Sequence, residues 1–359
     1  MRAAVYQEFR QPLRVSVVAD PAPPHEGVVI RVLATGLCRS DWHGWAGHDP
    51  MIRPPHVPGH EFAGEIVAVG RGVCNWKEGQ RITAPFVNGC GRCPECLRGD
   101  SQICPHQRQP GFSHWGSFAE YVTVDFADTN LVALPAQIDS VTAASLGCRF
   151  ATAFRGVTVQ GRARPGQWVA VHGCGGLGLS AIMIAAAAGA RLVAVDVLPA
   201  ALDLARDCGA EILIRAGDGS SVVEPIVEAT DGGAHLSFDA LGHPTTCSNS
   251  IRCLRRGGTH VQLGLLLGDH LAPPIPMDRV IAHELRVVGS HGMAAHAYPE
   301  LLRLIVSGRL NPGRLISRRV TLEEGAELLT RMDHSDRPGI TVIDLQTTEG
   351  TGRSARFWH

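Results

Sequence analysis

Over the first 150 positions apolar residues come in short runs, at 3–5, 27–33, 62–69, 80–84 and 119–124, each cut off by glycine, proline or charge. Runs of that length, alternating and so punctuated, predict the strands of a β-rich unit. From about position 151 the pattern changes. An apolar run at 168–172 leads into a glycine-rich turn, an alanine-rich helix at 178–188 and a strand at 191–195. The alternation continues through 200–208, 211–214, 222–229, 236–239, 245–254 and 259–263. Strands and helices taking turns in this way predict a doubly wound parallel sheet, so the expected fold class is α/β. A helix near 298–307 and a strand near 340–345 close the pattern, and the residues beyond read as a loose tail.

Composition narrows the picture. A chain of 359 residues exceeds what one core usually absorbs, which predicts two domains. Aromatic residues are 5%, so the core must be built from Ala, Val, Leu and Ile. Thirty-three Lys and Arg against 34 Asp and Glu leave a net charge of −1, which argues against a nucleic-acid partner. The uncharged stretch at 174–190 is glycine-rich at its start and stops at Arg191, as a buried loop and helix would, so no membrane partner is expected. The opening Met1-Arg-Ala-Ala-Val-Tyr-Gln-Glu lacks the apolar stretch of a signal peptide, and a cytoplasmic location is expected. Eleven cysteines then point to metal or reduced thiols rather than disulfides.

The first chemical signal is Gly173-Cys-Gly175-Gly176-Leu-Gly178, placed where a strand gives way to a helix. Such glycines allow a tight turn, let backbone approach a pyrophosphate, and seat the helix close on the sheet with its N-terminal dipole toward the phosphate. Asp196 ends the next strand, 18 residues beyond Gly178, where an acid would hold the adenosine ribose; its other reading is a cap for the following helix. Val197, Leu198 and Pro199 supply no cation for a 2′-phosphate, which favours NAD over NADP.

The second signal is Cys90-x-x-Cys93-x-x-Cys96 followed by Cys104. Four thiolates so spaced can close a tetrahedral zinc shell with no open position, a structural site that would fix a lobe rich in Gly and Pro. A third set is dispersed: Cys38 in Gly36-Leu-Cys38-Arg39-Ser40-Asp41-Trp42-His43, then His60-Glu61, then Gly147-Cys148. Spacing alone leaves open whether these converge. The remaining cysteines, Cys74, Cys174, Cys208, Cys247 and Cys253, are expected to be buried reduced thiols.

In this order, over positions 1–345, the motifs resemble the zinc-dependent medium-chain alcohol dehydrogenases, in their bacterial, tetrameric branch. The resemblance implies a GroES-like catalytic domain at 1–150, a Rossmann NAD domain at 151–289, a return segment of the catalytic domain at 290–345 and a tail at 346–359. It implies two zinc ions per subunit, the catalytic one on Cys38, His60 and Cys148, with Glu61 behind it and Asp41 orienting His60. Ser40, the nicotinamide ribose and His43 would carry the proton out, and Arg39 would touch the pyrophosphate. Thr152 would pack on the nicotinamide, with backbone at 263–265 and 289–290 facing its carboxamide. Trp45, Phe86 and Trp115 would make a narrow apolar pocket for a primary, aromatic or allylic alcohol, and Arg149 is a candidate anchor for a charged substrate.

Polyol and threonine dehydrogenases of the superfamily usually carry an acid where Cys148 stands, and zinc-free quinone reductases lack the ligands altogether. The expected activity is therefore interconversion of an alcohol and its aldehyde or ketone with NAD. A polyol or amino-alcohol dehydrogenase is the alternative within enzymes, and a non-catalytic nucleotide binder the alternative outside them. A non-catalytic relative would have no chemical reason to keep Cys38, Ser40, His43, His60 and Cys148 together. Chain size points to a homotetramer, with a homodimer as the alternative.

Overall fold

The computed structural model describes residues 1–217, 219, 221–334 and 337–346; most of the expected tail lies outside them. Its strands are β1 (Arg2–Val5), β2 (Arg14–Val17), β3 (Val28–Leu37), β4 (Phe62–Val69), β5 (Arg81–Thr83), β6 (Tyr121–Val124), β7 (Val132–Ala133), β8 (Trp168–His172), β9 (Arg191–Asp196), β10 (Ile212–Arg215), β11 (Ala234–Asp239), β12 (Leu254–Gln262), β13 (Arg286–Gly289), β14 (Ile316–Val320) and β15 (Ile340–Asp344). Among the described residues no helix is long and apolar enough to cross a membrane.

One sheet is parallel throughout and runs β10-β9-β8-β11-β12-β13. Counted from β8 this is 3-2-1-4-5-6, the order of a dinucleotide-binding sheet, with its switch point between β8 and β11. Trp168-Val-Ala-Val-His172 is buried at every position, as a central parallel strand covered on both faces must be. The helix Gly176–Ala187 is apolar on all sides because it is packed on all sides: the helices around Val141, Phe150 and Phe154 cover one flank and β8 the other.

The second sheet runs β14-β15-β3-β4-β5-β7, with β6 added on β3. Its ten-residue β3 pairs antiparallel with β4, β6 and, through Thr341↔Leu37 and Ile343↔Thr35, with β15 from the far end of the chain. Between the sheets the chain stays helical from Ser140–Ala144 through the π-helical turns Leu146–Phe150 and Gly156–Gln160 around Ala151–Arg155. Position 150 falls inside this run, which carries both Cys148 and Thr152.

Several elements lack a sequence signature. β2, Arg-Val-Ser-Val, does alternate, but it is only four residues long and mostly exposed, too short a run to mark a strand. β12 starts at Leu254 rather than 259 because Arg255, Arg256, Gly257 and Gly258 interrupt its apolar pattern. Cys174, Cys208, Cys247 and Cys253 are buried free thiols, but Cys74 is exposed, its backbone N–H bonded to Asp128 in a surface turn.

Candidate active site

β3 delivers the chain to Cys38, whose extended backbone caps the helix Arg39–Trp45. Asp41, one turn in, reaches back so that Oδ2 accepts the Cys38 N–H at 3.1 Å. Its other oxygen accepts the Gly59 N–H at 2.9 Å and the His60 Nδ1–H at 2.8 Å. One buried carboxylate therefore fixes the cap that carries Cys38 and the ring of His60. The bond at Nδ1 leaves His60 Nε2 as a bare lone pair, a buried atom with no partner among the described residues. A π-helical turn brings up Cys148, and the ligand atoms of Cys38, His60 and Cys148 lie within 4.8 Å of one another. Two sulfurs and a bare imidazole nitrogen form the donor set of a zinc site with a fourth position open. The Cys148 hydrogen bond, aided by Arg149 and His60, overcomes burial and drives the Cys38 thiol well below its ordinary range. The same pairing, with burial added, drives Cys148 well above it.

Glu61 follows His60 and is fully buried, and burial pushes its carboxyl up against the opposing pull of Arg149. The Arg149 backbone N–H and Nε donate to Glu61 Oε1 at 2.9 and 3.1 Å, and Nη2 donates to Oε2. Arg149 thus spends Nε and Nη2 on Glu61, which argues against its serving as a substrate anchor. This buried pair joins residues 88 apart, and nothing in their local sequence announces it.

Cys90, Cys93, Cys96 and Cys104 also meet within 4.8 Å. The sulfurs of Cys93 and Cys104 are 3.7 Å apart, close to the edge of about 3.8 Å that a tetrahedron with Zn–S bonds of about 2.3 Å would have. Backbone N–H groups of Cys90 and His106 donate to Cys104 Sγ and that of Cys96 to Cys93 Sγ, donors suited to thiolates. Four sulfurs leave no position for a substrate.

The Ser40 Oγ lies 3.8 Å from Cys38 Sγ. His43 is held neutral, its pKa pushed down to about 4 by burial and then by Arg39 and His48. Its Nδ1 faces Nδ1 of His48 at 3.0 Å, a neighbour that sequence reasoning did not single out. Arg39 stacks over Trp42 at 4.5 Å and donates to the Met332 carbonyl. Phe86 meets the His60 ring edge-on at 6.1 Å. Phe112, missed because nothing in its turn marks it, lies closer at 5.1 Å. Trp45 donates to the Gln11 carbonyl and packs against the cluster of Tyr6, Ile52 and Phe112, whereas Trp115 is partly exposed with its indole N–H on the Pro55 carbonyl. Neither makes a ring contact with His60, as Phe86 and Phe112 do.

At the switch point Gly173 has φ +91°, which a side chain would strain. A Cβ on Gly178 would stand 1.8 Å from the Gly173 carbonyl, so the helix can seat here only as glycine; one on Gly175 would meet nothing within 4 Å, so that turn faces open space. Asp196 accepts the Cys174 N–H at 2.6 Å and the Leu198 N–H at 2.9 Å, bracing the glycine turn and the start of the next helix at once. Register sets Arg215 beside it on β10, a cation that the sequence neighbourhood of Asp196 did not reveal. Thr152 is buried one helical turn beyond Cys148, and Ser290 donates to the Gln262 carbonyl at the ends of β12 and β13.

Two family descriptions match in chain order: the alcohol dehydrogenase GroES-like domain over residues 24–136 and the zinc-binding dehydrogenase domain over 176–307. An alcohol dehydrogenase of Geobacillus stearothermophilus is 35% identical over 350 residues, covering 96% of this chain and 99% of its own. The structure of an alcohol dehydrogenase from Thermus sp. ATN1 superposes with TM-score 0.87 at 32% identity, covering 96% of this chain and all of its own. That of a protein described as an NAD-dependent alcohol dehydrogenase gives TM-score 0.84 at 27% identity, over 96% of this chain and 100% of its own. Likeness of this extent through both halves makes the chain a member of the zinc-dependent medium-chain alcohol dehydrogenase family.

Proposed function

We propose that the protein interconverts an alcohol and its aldehyde or ketone with NAD as hydride acceptor, at a zinc held by Cys38, His60 and Cys148. The observation that carries this is His60 Nε2, buried without a partner and gathered with two sulfurs. Zinc there supplies a Lewis acid that eases loss of the alcohol proton. The chain's own residues do the rest. Asp41 keeps the imidazole in its ligating tautomer, and Ser40 Oγ, beside the Cys38 sulfur, takes the alcohol proton. His43, neutral at working pH, receives protons on their way out, with His48 as the next station at 3.0 Å. Arg39 leaves Met332 to bind pyrophosphate, and Thr152 packs against the nicotinamide.

Cys90, Cys93, Cys96 and Cys104 hold a second, structural zinc, giving two per subunit. Phe86 and Phe112 flank His60 and favour aromatic or allylic primary alcohols. Asp196 at the end of β9 favours NAD, while Arg215 beside it makes NADP worth testing. The catalytic domain comprises 1–150 and 290–345, and the NAD domain 151–289. We further propose a homotetramer, on the chain's size, in a reducing, cytoplasmic compartment that would suit its eleven free cysteines.

The test is reduction of NAD, and of NADP in parallel, across simple, aromatic and polyhydric alcohols, with zinc content measured. Turnover of aromatic or allylic alcohols with NAD is expected. Turnover of polyols alone would move the protein to the polyol branch, and silence with zinc bound would leave a nucleotide binder.

A further inference from the structure

We propose that the protein binds a diphosphate anion, free or as the end of a phosphorylated metabolite, in an arginine-lined cleft at the end of the nucleotide sheet remote from the coenzyme glycines.

Strands β8, β11, β12 and β13 run parallel, so Gly173, Asp239 and Gly289 share one end of the sheet and Trp168, Ala234 and Arg286 the other. At that second end a cleft of about 200 Å³ is lined by Arg162, Arg164, His235, Arg255, Arg256 and Arg286. The register of β12 brings two of them there. Its pairing with β11 steps from Ala234↔Leu254 to Leu236↔Thr259, so Arg255, Arg256, Gly257 and Gly258 bulge out of the ladder. Gly257 makes the turn at φ +72°, with its N–H held by the His283 carbonyl.

The lining has five guanidinium groups and no acid. None of the five makes an ion pair among the described residues, and the side chains of Arg164 and Arg286 make no hydrogen bond there either. Uncompensated cations in one cleft repel one another, and an anion between them relieves that cost. Arg255 is the fixed member: Nε donates to the Gly233 carbonyl at 2.9 Å, and Nη2 to the carbonyls of Thr230 and Asp231. Its remaining edge marks where an anion goes. Nη1 lies 2.9 Å from His235 Nε2, while His235 Nδ1 accepts the Trp168 backbone N–H at 3.0 Å. A backbone N–H can only donate, so the ring proton sits on Nε2 and two donors face each other. Burial and then Arg255 lower the pKa of His235, which keeps the ring neutral and in that tautomer. An anion oxygen beside the pair accepts from both. About 200 Å³ is the room of about six or seven waters, enough for two linked phosphoryl groups but not for a sugar and base as well. Guanidinium forks match phosphate oxygens in shape and charge.

The test is calorimetry on the zinc-loaded enzyme in about 0.15 M salt, where loose surface attraction is screened. Inorganic pyrophosphate is the probe, with sulfate and ADP in parallel and NAD kept saturating to fill the coenzyme site. The proteins are the wild type, Arg164→Glu, Arg286→Glu and Arg309→Glu, the last an equal charge change at an exposed position outside the cleft. One pyrophosphate per chain is expected. Its affinity should fall about ten- to hundredfold in each cleft variant, the worth of a charge-assisted hydrogen bond, and hold in Arg309→Glu. Pyrophosphate should also raise the melting temperature of the wild type more than that of the cleft variants. Arg164 and Arg286 are exposed and unbonded, so their variants should fold, and either one carries the test alone. Binding of ADP as well would make the ligand the phosphoryl end of a nucleotide, and silence of ADP would make it the free diphosphate. No binding of pyrophosphate, or binding that both cleft variants keep, that sulfate equals or that NAD abolishes, would overturn the proposal. Failure of NAD itself to bind would instead sink the coenzyme reading, since the cleft variants locate the pyrophosphate without it.

Discussion

Asp41→Asn isolates the step by which a helix cap becomes a metal-site brace. The carboxylate now satisfies three buried donors: the Cys38 N–H, the Gly59 N–H and the His60 Nδ1–H. Asparagine offers one acceptor oxygen in the same space. Set toward Gly59 and His60, it presents its amide to the Cys38 N–H, donor against donor; set the other way, it loses two bonds. The better choice strands one buried donor, which costs about 1–3 kcal/mol of stability. It also removes the negative charge that makes His60 a stronger ligand, an effect worth about ten- to hundredfold in metal affinity. The assay is zinc transfer to a chromogenic chelator at fixed pH, with the four-cysteine zinc as internal reference and thermal melting alongside. Faster and more complete release of one zinc of two is expected. Unchanged zinc affinity with a lowered melting temperature would refute the reasoning and reduce Asp41 to a cap.

The two metal groups should fail differently. Cys38→Ala is expected to abolish alcohol oxidation with little change in melting, whereas Cys96→Ala, which opens a shell whose binding energy is folding energy, should lower it by about 2–4 °C per kcal/mol lost; equal melting losses would refute the division. Acid should destabilise the fold through buried neutral histidines. His43 is pushed down from 6.5 to about 4 and His172 to about 3, both by burial first. Between pH 6.5 and about 4 the unfolded chain then binds more protons than the native one, so stability falls as pH falls. The slope is at most about 1.4 kcal/mol per pH unit for each histidine, and less for His43, which reaches solvent. Urea midpoints measured against pH should show the decline, and His43→Gln should flatten part of it; identical profiles would refute the assignment.

What could be read along the chain was what lies close together in it. Trp168 to Asp196 is one strand–turn–helix–strand unit, and its elements fall within a few residues of expectation. The four-cysteine lobe was legible because its ligands span 15 positions, from 90 to 104. The helix Leu322–Thr330 did carry a signal, the capping box of Thr321 and Glu324, but no apolar run beside it drew attention. The pairings of Glu61 with Arg149, of His60 with Phe112 and of Asp196 with Arg215 belong to the fold. They arise where strands or turns distant in sequence come into register, and no local periodicity encodes them.

The pairing of β15 with β3 bears on how the protein is made. Strands β8 to β13 are contiguous in sequence and can close their sheet as soon as residue 289 has left the ribosome. The other half cannot. Until residues 340–344 arrive, β3 keeps one edge unpaired beside Thr35, Gly36 and Leu37, the residues that lead to Cys38. Synthesis therefore passes through a stage in which a finished nucleotide sheet is tethered to an unfinished strand bearing a free thiol. Truncation before residue 340 would freeze that stage as a species prone to pair with other chains.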